Sequence, residues 1–176
     1  ISGKRRRQYY AVNTDLAVET AEKAKSDGAG QFIFMSSIAV YGIFAKMRKT
    51  SIITRETVPN PSGAYADSKL KAEKGIEPLE DDAFHVCILR PPMVYGPGSK
   101  GNYLILAKAA RKLPFFPDIK NQRSMLFVGN LARYVKKAID YRLSGVFFPQ
   151  NSEYVCVSDM VKQISEAHGR KIRLTK

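Results

Sequence analysis

Tryptophan is absent from this 176-residue chain, and cysteine and histidine occur only twice each. Cys87 and Cys156 lie inside apolar runs (HVCIL and YVCV) without metal-ligand spacing, so neither a zinc site nor a disulfide framework is expected; reduced, buried thiols suit a cytoplasmic setting. His85 opens a strand-like run and His168 ends a helix-like one beside Gly169, positions that suit capping or surface roles. No apolar stretch approaches the ~18 residues that a membrane-crossing helix needs. Lys4-Arg5-Arg6-Arg7 has no apolar signal core behind it, so neither a membrane span nor a secretory leader is read. Acidic residues are scarce, Asp+Glu 16 against Lys+Arg 29, which leaves a formal charge of +13. That balance keeps a basic nucleic-acid-binding module open as an alternative. Against it, the basic residues are spread along the chain, no nucleic-acid motif is present, and Tyr and Phe mostly fall in apolar runs.

What is present is a globular composition, 44% hydrophobic and 26% charged. The length suits about one domain, burying roughly 70% of its unfolded surface. Val12, Leu16, Ala17, Thr20, Ala21 and Ala24 recur at helical spacing over residues 9–25, stopped by Gly28 and Gly30. QFIFMSS, residues 31–37, is an apolar run too short for a helix and apolar on both faces, as in a buried parallel strand. After a loop with Pro59 and Pro61, residues 64–79 predict a helix weakened near its end by Gly75 and Pro78, and residues 84–89 a second strand stopped by Pro91-Pro92. The later elements are shorter: helices over 103–113, 131–143 (capped by Asn130) and from Ser158 to His168, and strands over 124–128, 146–148 and 171–174. The alternation predicts an α/β protein with a doubly wound parallel sheet. A chain that opens on Ile1 in helical pattern and ends on a strand is expected to be a piece of a longer protein.

Tyr65 and Lys69, at i and i+4 on the helix predicted over 64–79, place a phenol and an ammonium on one face. A phenol is a poor base at neutral pH, with a pKa near ~10 in water. A cation at ~5 Å in an effective dielectric of ~20 favours the phenolate by roughly 3 kcal/mol, which makes such a pair an acid/base candidate. Ser36 and Ser37 end the first strand, at the carboxyl edge where open parallel sheets place their ligands. A serine hydroxyl there can share a proton with the phenol and a substrate alcohol, although a serine satisfying its own turn is about as common.

In order and spacing, MSSIAVYG (35–42), Tyr65-Ala-Asp-Ser-Lys69, ILRPPMVYGPG (88–98) and NQRSMLFVGNLA (121–132) resemble the extended short-chain dehydrogenase/reductases. Within them the chain is most similar to the NAD-dependent epimerase/dehydratase family, on its UDP-hexose 4-epimerase branch. The resemblance implies a partial Rossmann-like doubly wound sheet over residues 1–98, the later portion of an NAD-binding domain, and a smaller, mixed α/β substrate-binding region over 99–176 with strands and helices returning to the main sheet. It implies Ser37, Tyr65 and Lys69 as catalytic residues, and Ser36, Tyr65, Lys69, Pro91 and Pro92 at the cofactor, NAD. The substrate, a UDP-hexose, would meet Ser37, Asn102 and Arg123, an assignment that agrees with the fork geometry of an arginine on a diphosphate. Asn13 matches a helix asparagine of structural weight. The family commonly forms homodimers through the tyrosine-bearing helix and its predecessor.

The chain departs from that pattern at several points. The family's sugar-nucleotide dehydratases carry an Asp-Glu pair after the catalytic Ser/Thr; here Ile38 and Ala39 stand there, which disfavours dehydration. Met93 stands where many members have an asparagine. The glycine-rich strand-to-helix turn that receives the cofactor pyrophosphate is not found, and Gly28-Ala29-Gly30 follows a helix and precedes a strand, the reverse order. The isolated chain is therefore expected to be inactive, and a reductase or a differently specific epimerase of the same family is the nearest alternative.

Overall fold

The computed structural model describes residues 3–42, 52–99 and 102–175, apart from the side chains of Lys4, Arg5 and Asn102. They pack as two units. The first comprises residues up to Pro91 together with Arg133–Pro149, and the second Pro92–Ala132 together with the residues from Gln150 onward.

The first unit is built on three parallel strands, β1 (Gln31–Met35), β2 (His85–Leu89) and β6 (Gly145–Phe147), in the order β1-β2-β6. Alternation along β2 explains its place at the centre. Val86 and Ile88 point to one face, where they meet Phe34, Ala21, Ala72, Ile76 and Phe84. Cys87 and Leu89 point to the other, where Ala138, Tyr134, Val135 and Phe147 cover them. A strand apolar on both faces needs helices on both, which is the doubly wound, Rossmann-like arrangement read from the sequence. Each large side chain fully buried here, such as Phe84, Ile76 or Ile88, contributes about 1.5–3 kcal/mol of burial.

The first face is covered by α2 (Leu16–Ser26) and α3 (Ala64–Ile76), with α1 (Gly3–Tyr10) packed on α3, and the second by the later turns of α5 (Val128–Asp140). The leading helix begins earlier than its apolar spacing suggests, because GKRRRQYY carries no apolar period until Tyr9. A wider π turn, Ala11–Asp15, joins α1 to α2. Gly75, read as a weak point, lies inside α3 and lets the helices meet closely: a Cβ there would stand 2.6 Å from Val18 Cγ2. Pro78 falls in a separate 3-10 turn, Glu77–Leu79, where its missing N–H costs little.

The second unit holds two short parallel pairs, β3 (Met93–Tyr95) with β5 (Met125–Phe127), and β4 (Phe115–Pro117) with β7 (Arg173–Thr175). β3 and β4 were not legible, being three residues each beside prolines. Helices α4 (Asn102–Lys112) and α6 (Val157–Ala167) pack together around Ala110, Val161 and Ile172.

Two expected caps are corrected. Asn130 lies inside α5, which follows β5 without a loop; its amide donates to Asn151 Oδ1 at 3.1 Å, and the same oxygen accepts the Phe127 N–H at 3.3 Å. Ser158 lies inside α6 and is buried, its hydroxyl accepting from Ile119 N–H at 2.8 Å and donating to the Pro117 carbonyl at 2.9 Å. The helix start is served by Asn121, whose side-chain oxygen accepts the Val157 N–H at 3.1 Å.

Gly42 closes the turn after β1 with φ +63°, and a Cβ there would stand 2.0 Å from the Asn60 carbonyl oxygen. Gly42→Ala must therefore move backbone as well as adopt a left-handed conformation. It is expected to lower stability by about 2 kcal/mol or more in urea denaturation; a loss below ~0.5 kcal/mol would contradict the packing described.

Candidate active site

Helix α3 positions the tyrosine and lysine. Gly63, with φ +86°, precedes it, and Tyr65 lies in its first turn, 41% exposed. The Tyr65 ring meets Tyr9 of α1 edge-on with centroids 5.8 Å apart. One turn on, the Lys69 ammonium donates to the Met35 carbonyl at 2.9 Å, at the carboxyl end of β1, and stands 4.8 Å from the Phe34 ring centroid. Burial lowers the Lys69 pKa from its ordinary value, and the Glu73 charge opposes that shift in part. The Tyr65 end of the helix is fixed through Ser68: Ser68 Oγ donates to the Tyr65 carbonyl at 2.9 Å and accepts from Asn13 Nδ2 at 3.0 Å, while Thr14 Oγ1 donates to the Ser68 carbonyl at 2.8 Å. Asn13 and Thr14 both belong to the π turn, so the wider turn ties α3 in place. Tyr10 adds a further tie, donating to Asp67 at 2.6 Å; that bond, the largest cause, holds the Asp67 pKa below its usual range, with Lys71 contributing.

Ser37 follows β1 in extended backbone and opens a 3-10 turn, Ile38–Tyr41, its hydroxyl accepting from Ala39 N–H at 3.1 Å. The Ile38 N–H donates to the Pro91 carbonyl at 3.0 Å, and the Ser36 N–H to the Leu89 carbonyl at 2.8 Å. Ser36, Ser37, Lys69 and Pro91 thus converge on one sheet edge. The Ser36 side chain is committed elsewhere. It is 3% exposed and donates to Glu73, so only its backbone is available to a cofactor. Pro92 and Arg123 belong to the second unit. Arg123 is exposed and its backbone is paired with Val155 in an antiparallel bridge, N to O 3.0 and 2.9 Å. The Asn102 side chain and Lys100 lie outside the described residues.

Sequence reasoning missed the most buried charges. Glu73, 2% exposed, accepts from Arg90 twice, Nε to Oε1 at 3.0 Å and an Nη to Oε2 at 2.5 Å, and the other Arg90 Nη donates to the Tyr41 hydroxyl at 2.6 Å. Burial alone would lower the Arg90 pKa; the hydrogen bonds and charge of Glu73 outweigh it, leaving a net rise and a firmly ionised guanidinium. The available signal was a glutamate one turn past Lys69 on the face of Ala66 and Ile76, and an arginine directly after an apolar strand. Two charges at two otherwise apolar positions call for each other.

Parallel strands covered on both faces, with a Tyr-x-x-x-Lys helix whose lysine docks at a strand's carboxyl end, define a Rossmann-like α/β protein of the short-chain dehydrogenase/reductase type. The sequence profile of the NAD dependent epimerase/dehydratase family matches residues 2–147, and the chain belongs to that family. It is 34% identical over 168 residues to a UDP-glucose 4-epimerase of Vibrio cholerae, covering 90% of this chain and 50% of the relative. To the N-acetyl-alpha-D-glucosaminyl-diphospho-ditrans,octacis-undecaprenol 4-epimerase of Escherichia coli O157:H7 it is 26% identical, covering 93% and 50%. The chain thus spans about half the length of these curated relatives. The crystal structure of a UDP-glucuronic acid 4-epimerase from Bacillus cereus superimposes with a TM-score of 0.83 at 21% identity, over 99% of this chain and 59% of that one, a likeness of fold.

Proposed function

We propose that the protein is an NAD-dependent nucleotide-sugar 4-epimerase acting on a UDP-hexose such as UDP-glucose or UDP-galactose. The observation that carries this reading is the placing of Lys69 on the Met35 carbonyl, one helical turn from an exposed Tyr65 and at the strand end that bears Ser37. Tyr65 takes the proton of the sugar 4-hydroxyl, directly or through Ser37, and returns it after the sugar has turned its other face. Lys69, one turn on along the same helix, is the nearby cation on that face. The UDP-glucose 4-epimerase similarity in Vibrio cholerae supports the substrate class.

NAD fits the residues at its nicotinamide end. An ammonium has three N–H donors, and among the described residues Lys69 uses one, on Met35; two remain for ribose hydroxyls, at the sheet edge that also bears Pro91, and we assign Pro92 to the cofactor as well. When bound, NAD supplies transient oxidation at C4. No glycine-rich turn for its pyrophosphate stands in these 176 residues, and we assign that task to no residue here. The region up to residue 98 serves the cofactor and the later region the sugar nucleotide, with Asn102 and Arg123 on the diphosphate, while Arg133–Pro149 returns to the first unit's sheet. Ile38 and Ala39, in the 3-10 turn, carry no proton to exchange, which argues against a dehydratase.

The reading includes a cytoplasmic homodimer without nucleic-acid or membrane partners. Cys87, buried and with its thiol pushed up to about 11, suits a reducing setting without thiol chemistry. No helix among the described residues is long and apolar enough to cross a membrane. The test is incubation of the full-length natural protein with UDP-galactose and NAD. We expect UDP-glucose to form with no net production or use of NADH. A stoichiometric requirement for NADH would replace this reading by a reductase.

A further inference from the structure

The Glu73–Arg90 pair touches the chain at both ends of the turn that carries Ser37. On the upstream side Ser36 donates to Glu73; on the downstream side Tyr41 accepts from Arg90 at 2.6 Å. Between these two anchors lie only Ser37 and the residues of its 3-10 turn, closed by the Val40 N–H on the Ser37 carbonyl at 3.2 Å and the Gly42 N–H on the Ala39 carbonyl at 2.9 Å. The pair is itself rooted in the sheet. The Arg90 N–H donates to the Phe147 carbonyl at 2.8 Å, and Glu73 projects from α3 one turn beyond Lys69. The Met35–Ser36 peptide is held in the same way: its N–H is fixed on the Leu89 carbonyl at 2.8 Å, which aims its carbonyl, the acceptor of Lys69.

A buried ion pair is costly to desolvate, and four apolar side chains could fill this space. What the ionic version supplies, and an apolar one would not, is direction: a fork that fixes two oxygen atoms five residues apart. We infer that Glu73 and Arg90 are positioning residues, which through Ser36 and Tyr41 hold the Ser37 hydroxyl and the Lys69 acceptor in register. This deepens the epimerase reading and rests on it for its kinetic part. Misplacing a reacting group by about an ångström can lower a rate up to ~100-fold, so loss of one anchor should fall short of that.

The mildest cut is Tyr41→Phe, which keeps the buried ring beside Phe148 and removes one hydrogen bond; Ser36→Ala cuts the opposite anchor. Both are measured in the full-length protein. By native-state hydrogen exchange we expect the Ala39, Val40 and Gly42 amides to exchange about tenfold faster in each variant, with the β2 amides unchanged. Turnover should fall about tenfold with KM for the sugar nucleotide within about twofold. The effect of Tyr41→Phe on kcat should shrink in a Ser37→Ala background, because the anchor then has only the Lys69 acceptor left to position. Unchanged exchange in the turn, or losses that multiply fully with Ser37→Ala, would overturn the inference. If Tyr65→Phe keeps normal turnover, the epimerase reading fails instead, and the exchange result alone decides whether the pair holds the turn.

Discussion

Replacing Tyr65 by phenylalanine is expected to lower the turnover proposed for the full-length protein by about 10²–10⁴-fold, the range usual for loss of a positioned acid/base. The substitution removes one oxygen from a ring that is 41% exposed and packed edge-on against Tyr9, so stability should change by less than ~0.5 kcal/mol. Substrate affinity should be retained, since a proton-transfer group acts in the transition state and not on the bound sugar. Lys69→Met should also lower turnover, while freeing the Met35 carbonyl of its partner. A Tyr65→Phe enzyme that interconverts UDP-galactose and UDP-glucose at the unmutated rate would remove Tyr65 from the mechanism.

The second large effect concerns folding. Glu73→Ala leaves the Arg90 guanidinium buried opposite an empty space, with the Ser36 hydroxyl deprived of its acceptor. Breaking a buried pair from one side typically costs about 3–5 kcal/mol, a large part of a domain's total stability. Urea titration followed by circular dichroism is expected to show that loss, and a loss under ~1 kcal/mol would mean that water reaches Arg90. The pH behaviour has a definite sign. A guanidinium whose folded pKa lies above its unfolded value contributes stability that is complete below the unfolded value and is lost only as pH rises through the folded one. Alkaline titration within the ordinary working range should therefore leave the Arg90 contribution intact. Exposed pairs such as Lys23–Asp27 and Lys136–Asp140 are of a different kind, and their removal should be hard to detect.

Much of the parallel sheet was legible because its central strands are apolar on both faces and α2 stops at Gly28 just before β1. Gln31–Met35 and His85–Leu89 stand within two residues of their expected limits. The pieces that escaped are those where a distant residue replaces a local signal. Asn121 caps α6 from a loop more than thirty positions earlier, which no spacing rule around Ser158 could reveal. The arginine run conceals the start of α1, and residues 92–132 contain three-residue strands that depend on partners rather than on their own pattern. At the candidate site, the placing of Tyr65 and Lys69 on one helix and of Ser37 at a strand's carboxyl end was readable from motif and spacing. The charges behind them were not, because a glutamate on a helix and an arginine after a strand each look ordinary until the fold places them 2.5 Å apart.

Strand β6 gives the first unit a particular assembly order. Its parallel partner β2 ends at Leu89, but β6 and the covering turns of α5 come from Arg133–Pro149, after the chain has passed through Pro92–Ala132. On the ribosome, β1, α3 and β2 are all synthesised before β6 and can associate without it. The face formed by Cys87 and Leu89 must wait, uncovered, until the intervening segment has been synthesised. That interval exposes a ready strand edge and an apolar surface together, the state in which nascent chains are most prone to aggregate. That face is closed only by residues up to Pro149.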